Sequence, residues 1–118
     1  TFPEYHTSAD NLDFIRPDSL ADSLLRLLET VAVVDGNATF LNQCPYGEPQ
    51  LGRRGLYDLL GGANERHDQQ MAMLWVLNQS DGGPSLLDIA DRADLPFSRI
   101  REAADRLAGA GLLREKED

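Results

Sequence analysis

Between Pro17 and Val34 the apolar positions Leu20, Leu24, Leu27, Leu28 and Val31 recur at helical spacing, with Leu25 beside them, while Asp22, Ser23, Arg26 and Glu29 fall elsewhere. Pro17 suits a first helical position, Asp18 complements the positive end of the helix dipole, and Asp35-Gly36 supplies the usual stop. The leucine stripe needs a partner surface, either the later helices or a domain upstream. A second helix is expected from Asn64, a plausible N-cap, to about Ser80, with Met71, Leu74, Trp75 and Leu77 as its apolar face. Asp81-Gly82-Gly83-Pro84 reads as a turn, and Ser85 as the cap of a short helix carrying Leu86, Leu87, Ile89 and Ala90. Asp94-Leu95-Pro96 breaks that helix. A last one follows with Ile100, Ala103, Ala104 and Leu107 on one face, stopped at Gly109-Ala110-Gly111.

Helix, short helix, tight turn, helix, then Gly111-Leu112-Leu113-Arg114 entering a strand is the order of a winged helix-turn-helix. The runs Leu86 to Leu95 and Ile100 to Leu113 are similar to that class in detail. The fold class read from the chain is mostly α: an N-terminal loop and helix in residues 1–36, an irregular arm rich in glycine and proline in 37–62, and a winged helix-turn-helix with a short or truncated wing in 63–118. This fold carries no function by itself, because the same unit serves in docking and dimerisation.

Composition narrows the partners. Twenty acidic against eleven basic residues give a net charge of −9, and residues 63–118 alone carry eleven acidic and seven basic side chains. Nucleic-acid affinity comes mostly from neutralised phosphates, so this balance disfavours a polyanion. Arg99, Arg101 and Arg106, on the helix that would enter a groove, are the candidate nucleic-acid contacts and the best argument for the opposite view. Arg53-Arg54 is a basic pair suited to a carboxylate or phosphate, or to ion pairs within the domain. The single Cys44 excludes an intramolecular disulfide, and neither a signal peptide nor a long apolar run is present, so a cytoplasmic protein without membrane contact is expected. A chain that starts at Thr1 rather than Met reads as an excerpt.

The N-terminal stretch offers the one metal-binding candidate. His6 sits in a polar turn whose Thr7, Ser8, Asp10 and Asn11 can satisfy the local backbone and hold the imidazole in one orientation. Tyr5-His6-Thr7-Ser8-Ala9-Asp10-Asn11 resembles the segment in which di-zinc aminopeptidases, and the related glutaminyl cyclases, carry their last zinc ligand. Gly47-Glu48-Pro49-Gln50-Leu51-Gly52-Arg53-Arg54-Gly55-Leu56-Tyr57 is similar to a stretch of those bacterial aminopeptidase-like proteins that end in a winged helix. The resemblance covers most of the chain. It implies that residues 1–36 end an α/β peptidase domain, that His6 is a zinc ligand with Asp10 as turn support, and that the remaining ligands lie upstream. His67, far along the chain, reads as an exposed helix residue.

Two readings follow. In the first, the chain is the C-terminal part of a zinc-dependent aminopeptidase-like hydrolase acting on a peptide or amide. Its winged helix serves docking or homo-oligomerisation, its main partner is the upstream catalytic domain, and the fragment alone has no catalytic activity. In the second, it is a stand-alone acidic winged-helix module, either a DNA-binding regulator or a protein-interaction domain.

Overall fold

The computed structural model describes residues 2–57 and 63–117, the side chains of the helix start at 63–65 excepted. The chain divides into two units, Thr1–Asp35 and Gly36–Asp118. The expected glycine pair Gly61-Gly62 and the side chains of Asn64 and Glu65 lie outside the described residues.

The first unit is a loop of consecutive turns followed by α1 (Pro17–Gly36), which continues to the predicted glycine stop. In the loop, Phe2 stacks on Phe14 at 5.2 Å between ring centroids and meets Tyr5 edge-on at 5.7 Å. The helix buries none of its residues: Leu20, Leu24, Leu27, Leu28 and Val31 are all more than half exposed. No helix among the described residues is long and apolar enough to cross a membrane.

The second unit runs β1 (Thr39–Asn42), a single 3-10 turn (Leu51–Arg54), α2 (Ala63–Gln79), β2 (Asp81–Ser85), α3 (Leu86–Ala93), α4 (Phe97–Gly109) and β3 (Leu113–Glu115). Three helices and a small sheet enclose one core, with Met73, Val76, Leu86, Ile89, Ile100, Leu107 and Leu112 as its largest fully buried side chains. Burial of this kind is the main favourable term for so small a unit.

The sheet order is β2-β1-β3, antiparallel throughout. Residues 37–62 are therefore more than a connecting arm: Thr39–Asn42 is the middle strand of the winged helix, with Phe40 nearly fully buried. Four residues cannot display a period-2 pattern strongly enough to stand out among the surrounding glycines and prolines, and their pairing partners lie some 40 and 70 residues on. The expected turn Asp81–Pro84 is likewise strand β2. It is an edge strand, where proline and glycine are tolerated, and its register against β1 is irregular between Thr39 and Leu41. Gly82 allows this geometry: its φ is +86°, and a Cβ there would stand 2.8 Å from Leu41 Cδ2. The wing is short, three residues of β3 paired with β1.

Helix α2 also turns a different face inward from the one its pattern suggests. Ala72, Met73, Val76 and Leu77 are buried, whereas Met71 and Leu74 are exposed and Trp75 only half-buried. From Met71 to Leu77 every residue is apolar, so periodicity alone does not select a side. α4 buries Ile100, Ala103, Ala104 and Leu107 as its spacing requires, and α3 buries Leu86, Ile89 and Ala90 while leaving Leu87 out.

Ser85 caps α3 as expected. Its hydroxyl accepts from the Asp88 amide at 3.3 Å, and Asp88 Oδ2 accepts from the Ser85 amide at 2.8 Å, a reciprocal capping box. Asn37 Oδ1 takes a further amide of the first turn, that of Leu87, at 2.9 Å. The Ser85 amide, and then its hydroxyl, hold the Asp88 carboxyl below the usual carboxylate range, with Arg92 adding to the effect. A carboxyl lowered in the folded state contributes stability that is present above its unfolded pKa and is lost as pH falls through its folded pKa. Ser85→Ala is expected to cost about 0.5–2 kcal/mol in urea unfolding near neutral pH. Asp88→Asn is expected to flatten the acid limb of the stability profile below about pH 4; an unchanged limb would show that the box does not form.

Candidate functional site

The candidate residues fall into separate groups, each described within its own unit. His6 lies in the first, at the corner of a turn that is closed by its own side chains. Thr7 Oγ1 donates to the Glu4 carbonyl at 2.7 Å and accepts from the Ala9 amide at 3.2 Å; Asn11 Nδ2 donates to the Ser8 carbonyl at 3.1 Å, and Asn11 Oδ1 accepts from the Asp13 amide at 2.9 Å. Thr7 and Asn11 therefore do the work that a polar turn sequence implies. The contribution of Asp10 is its backbone amide, which donates to the Thr7 carbonyl at 3.1 Å.

His6 adopts φ 61°, a left-handed conformation uncommon for a residue with a side chain. It is exposed, and its ring meets Tyr5 edge-on at 4.0 Å between centroids. Backbone strain of this kind persists where the surroundings over-determine it. The turn thus presents an exposed imidazole at its corner. Such a group suits one position in a zinc site, where the other ring nitrogen needs an acceptor. Among the described residues no group of three His, Cys, Asp or Glu side chains is placed to hold a metal ion. His67 is exposed on α2, in the other unit.

The arginines of α4 are engaged internally. Arg101 grips Asp105 through Nη2 at 2.8 Å and Nε at 3.2 Å, and its Nη1 donates to the Gly36 carbonyl at 2.8 Å. Arg106 Nη2 lies 2.9 Å from Glu102 Oε1, and Arg99 Nη1 lies 3.7 Å from the other oxygen of the same carboxylate. All three candidate nucleic-acid contacts therefore face carboxylates on their own helix. A phosphate would have to compete with those carboxylates in a unit that is net acidic.

The basic pair ahead of α2 divides. Arg54 donates from Nε to the Pro49 carbonyl at 3.0 Å and from Nη1 to the Ala110 carbonyl at 2.9 Å, so it fastens the loop before α2 to the end of α4 and is not a free anion contact. Arg53 is exposed. Asn42 does similar structural work without having drawn notice in the sequence: its Nδ2 donates to the Leu77 carbonyl at 2.9 Å and its Oδ1 accepts from the Cys44 amide at 2.7 Å. A lone asparagine at the end of a short strand carries no motif that could have revealed it.

Comparison with known proteins follows the same division. Residues 1–37 match a family described only as a domain of unknown function (DUF4910), and residues 38–115 match the winged helix-turn-helix family model. A protein of Clostridium acetobutylicum, provisionally named a polysaccharide biosynthesis protein with an aminopeptidase-like domain, is 49% identical over 113 residues, covering 96% of this chain and 26% of its own length. The crystal structure of a provisionally assigned peptidase from Clostridium acetobutylicum superposes with a TM-score of 0.84 at 45% identity, over 98% of this chain and 24% of that one. The chain thus spans about a quarter of the length of these relatives. The second family boundary, at residue 38, places β1 with the helices that follow it, as the sheet does. The fold, its element order and the match over residues 38–115 agree: this chain belongs to the winged helix-turn-helix family.

Proposed function

We propose that this chain is the C-terminal region of a zinc-dependent aminopeptidase-like hydrolase acting on a peptide or amide. In this reading residues 1–36 close the catalytic domain, and His6 supplies one ligand to a zinc site whose other ligands lie upstream. The observation that carries the reading is the turn itself. A histidine stands exposed in a left-handed conformation, in a turn closed by its neighbours' hydrogen bonds and inside a segment that resembles the last ligand segment of di-zinc aminopeptidases. The relatives' names, which refer to a peptidase and to an aminopeptidase-like domain, support it. So does α1, whose leucine stripe finds no cover within its own unit and suits a helix that packs on an upstream domain.

Bound zinc would supply Lewis-acid polarisation of the scissile carbonyl and a water acidic enough to attack it near neutral pH. The chain's own contribution is positional: Thr7 and Asn11 close the turn that carries His6. The winged helix serves as a docking or oligomerisation module.

The test uses the longer protein that contains this region. His6→Ala is expected to reduce bound zinc, read by metal analysis, and to lower hydrolysis of aminoacyl anilides by roughly a hundredfold or more. Unchanged zinc content and unchanged hydrolysis would overturn the assignment. The DNA-binding alternative is disfavoured by the internal engagement of Arg101 and Arg106 and by the acidity of the unit.

A further inference from the structure

Ser80, only 2% exposed, is the one buried polar residue among the described residues. It follows the last turn of α2, where its amide donates to the Val76 carbonyl at 3.0 Å and its carbonyl accepts from the Asn42 amide at 2.7 Å, so its backbone is fully engaged. Its hydroxyl is not: Oγ meets neither a donor nor an acceptor among the described residues. A buried hydroxyl without a partner is unfavourable, and alanine would fill the same place without that cost. The fold therefore does not account for the hydroxyl.

Ser80 lines a hollow of about 660 Å³ between β1, the loop that follows it and the end of α2. That size lies in the range that small ligands occupy, roughly 300–1,000 Å³. The fold holds the hollow in shape. Asn42, on its wall, donates from Nδ2 to the Leu77 carbonyl at 2.9 Å and accepts at Oδ1 from the Cys44 amide at 2.7 Å, which ties strand, helix and loop together. Pro45 and Pro49 restrict the loop further. Leu41, Leu74 and Leu77 make one part of the wall apolar, and Asp81, next to Ser80, is the only charged residue lining it. Asp81 Oδ1 accepts from the Gly83 amide at 2.9 Å, and no lysine or arginine among the described residues pairs with the carboxylate.

We infer that this hollow binds a small primary amine with an apolar body, its ammonium at Asp81 and Ser80 and its hydrocarbon against Leu41, Leu74 and Leu77. An ammonium carries three donors and no acceptor, and the oxygens of Asp81, Ser80 and Asn78 on the wall can all accept. Charge selects the head group. A neutral ligand seated here would cover Asp81 without pairing it, and a carboxylate or phosphate would be repelled by Asp81 and by a chain of net charge −9. The inference requires neither zinc nor hydrolysis.

Cys44, the only thiol of the chain, lines the same hollow and reports on its occupancy. Isoamylamine, isoamyl alcohol and isovalerate share one apolar body and differ in the head group. In the 118-residue chain the amine is expected to slow alkylation of Cys44 by iodoacetamide saturably and to shift the amide NMR signals of Ser80 and Asp81. The alcohol is expected to act roughly tenfold more weakly, and the acid more weakly still. Asp81→Asn is expected to weaken the amine by roughly tenfold or more. Ser80→Ala is expected to weaken it by roughly threefold or more, with the urea midpoint unchanged or raised. The inference is overturned if the three compounds protect Cys44 equally, if none protects it, or if protection by the amine survives Asp81→Asn. A lowered midpoint in Ser80→Ala with full amine binding would assign the hydroxyl to the fold and overturn it too. Should Asp81→Asn lose its native circular dichroism, the order of amine, alcohol and acid in the parent chain decides. In the longer protein that contains this region the amine must protect Cys44 as well; no protection there, because another segment fills the hollow, rejects the inference.

Discussion

A chain shortened to begin at Ala63 is expected not to fold, whereas one beginning at Gly36 is expected to unfold in a single cooperative transition. The reason is the position of β1 between β2 and β3. Without it those strands lose the ladder that joins them: Thr39 pairs with Ser85, Leu41 with Asp81, and Phe40, Leu41 and Asn42 with Glu115, Arg114 and Leu113. Further groups lose their partners, three of them beside the sheet and at the end of α2. The Leu86 amide donates to the Ala38 carbonyl at 2.9 Å, the Lys116 amide to the Thr39 carbonyl at 2.8 Å, and the Asn42 side chain holds the Leu77 carbonyl near the end of α2. Phe40 is removed from the core at the same time. Loss of a buried aromatic costs about 3–5 kcal/mol by itself, a large part of the stability of a unit this small. Circular dichroism and thermal unfolding of the two chains decide the matter. A cooperative transition in the chain from Ala63 would mean that β1 is dispensable and that residues 37–62 are an arm after all.

The second large effect is expected at Leu107. It is fully buried on α4, in the core that α2, α3 and the sheet share. Leu107→Ala is expected to lower unfolding free energy by about 2–5 kcal/mol, the spread reflecting how far the surrounding side chains can close the cavity. Urea unfolding followed by circular dichroism would measure it. Leu87→Ala, on the exposed side of α3, serves as the comparison and is expected to fall within about 0.5 kcal/mol of the parent chain. Equal losses at the two positions would contradict the burial on which the core is described.

Local signals were readable where one residue decides the conformation. Pro17 and Gly36 bracket α1, Ser85 caps α3, and Ile100, Ala103, Ala104 and Leu107 turn inward together. The polar turn around His6 is closed by Thr7 and Asn11, two of the residues whose chemistry suggests it. The candidate anion contact at Arg54 was not readable in the same way. A guanidinium suits an anion as well as it suits two carbonyls, and the Ala110 carbonyl that it finds lies 56 residues away.

The sequence by itself determined the order of helices, their ends to within about a residue or two, and the polar turn around His6, because these rest on contacts between residues a few positions apart. Only the tertiary structure decided what depends on distant partners. It made Thr39–Asn42 the central strand, turned Asp81–Ser85 into an edge strand, engaged Arg101 and Arg106 with their own helix and Arg54 with the end of α4, and chose which side of α2 faces the core. The physical reason is the same in each case. A short strand has no stability without its neighbours, and a helix that is apolar all round has no preferred inward face until another surface covers one of its sides.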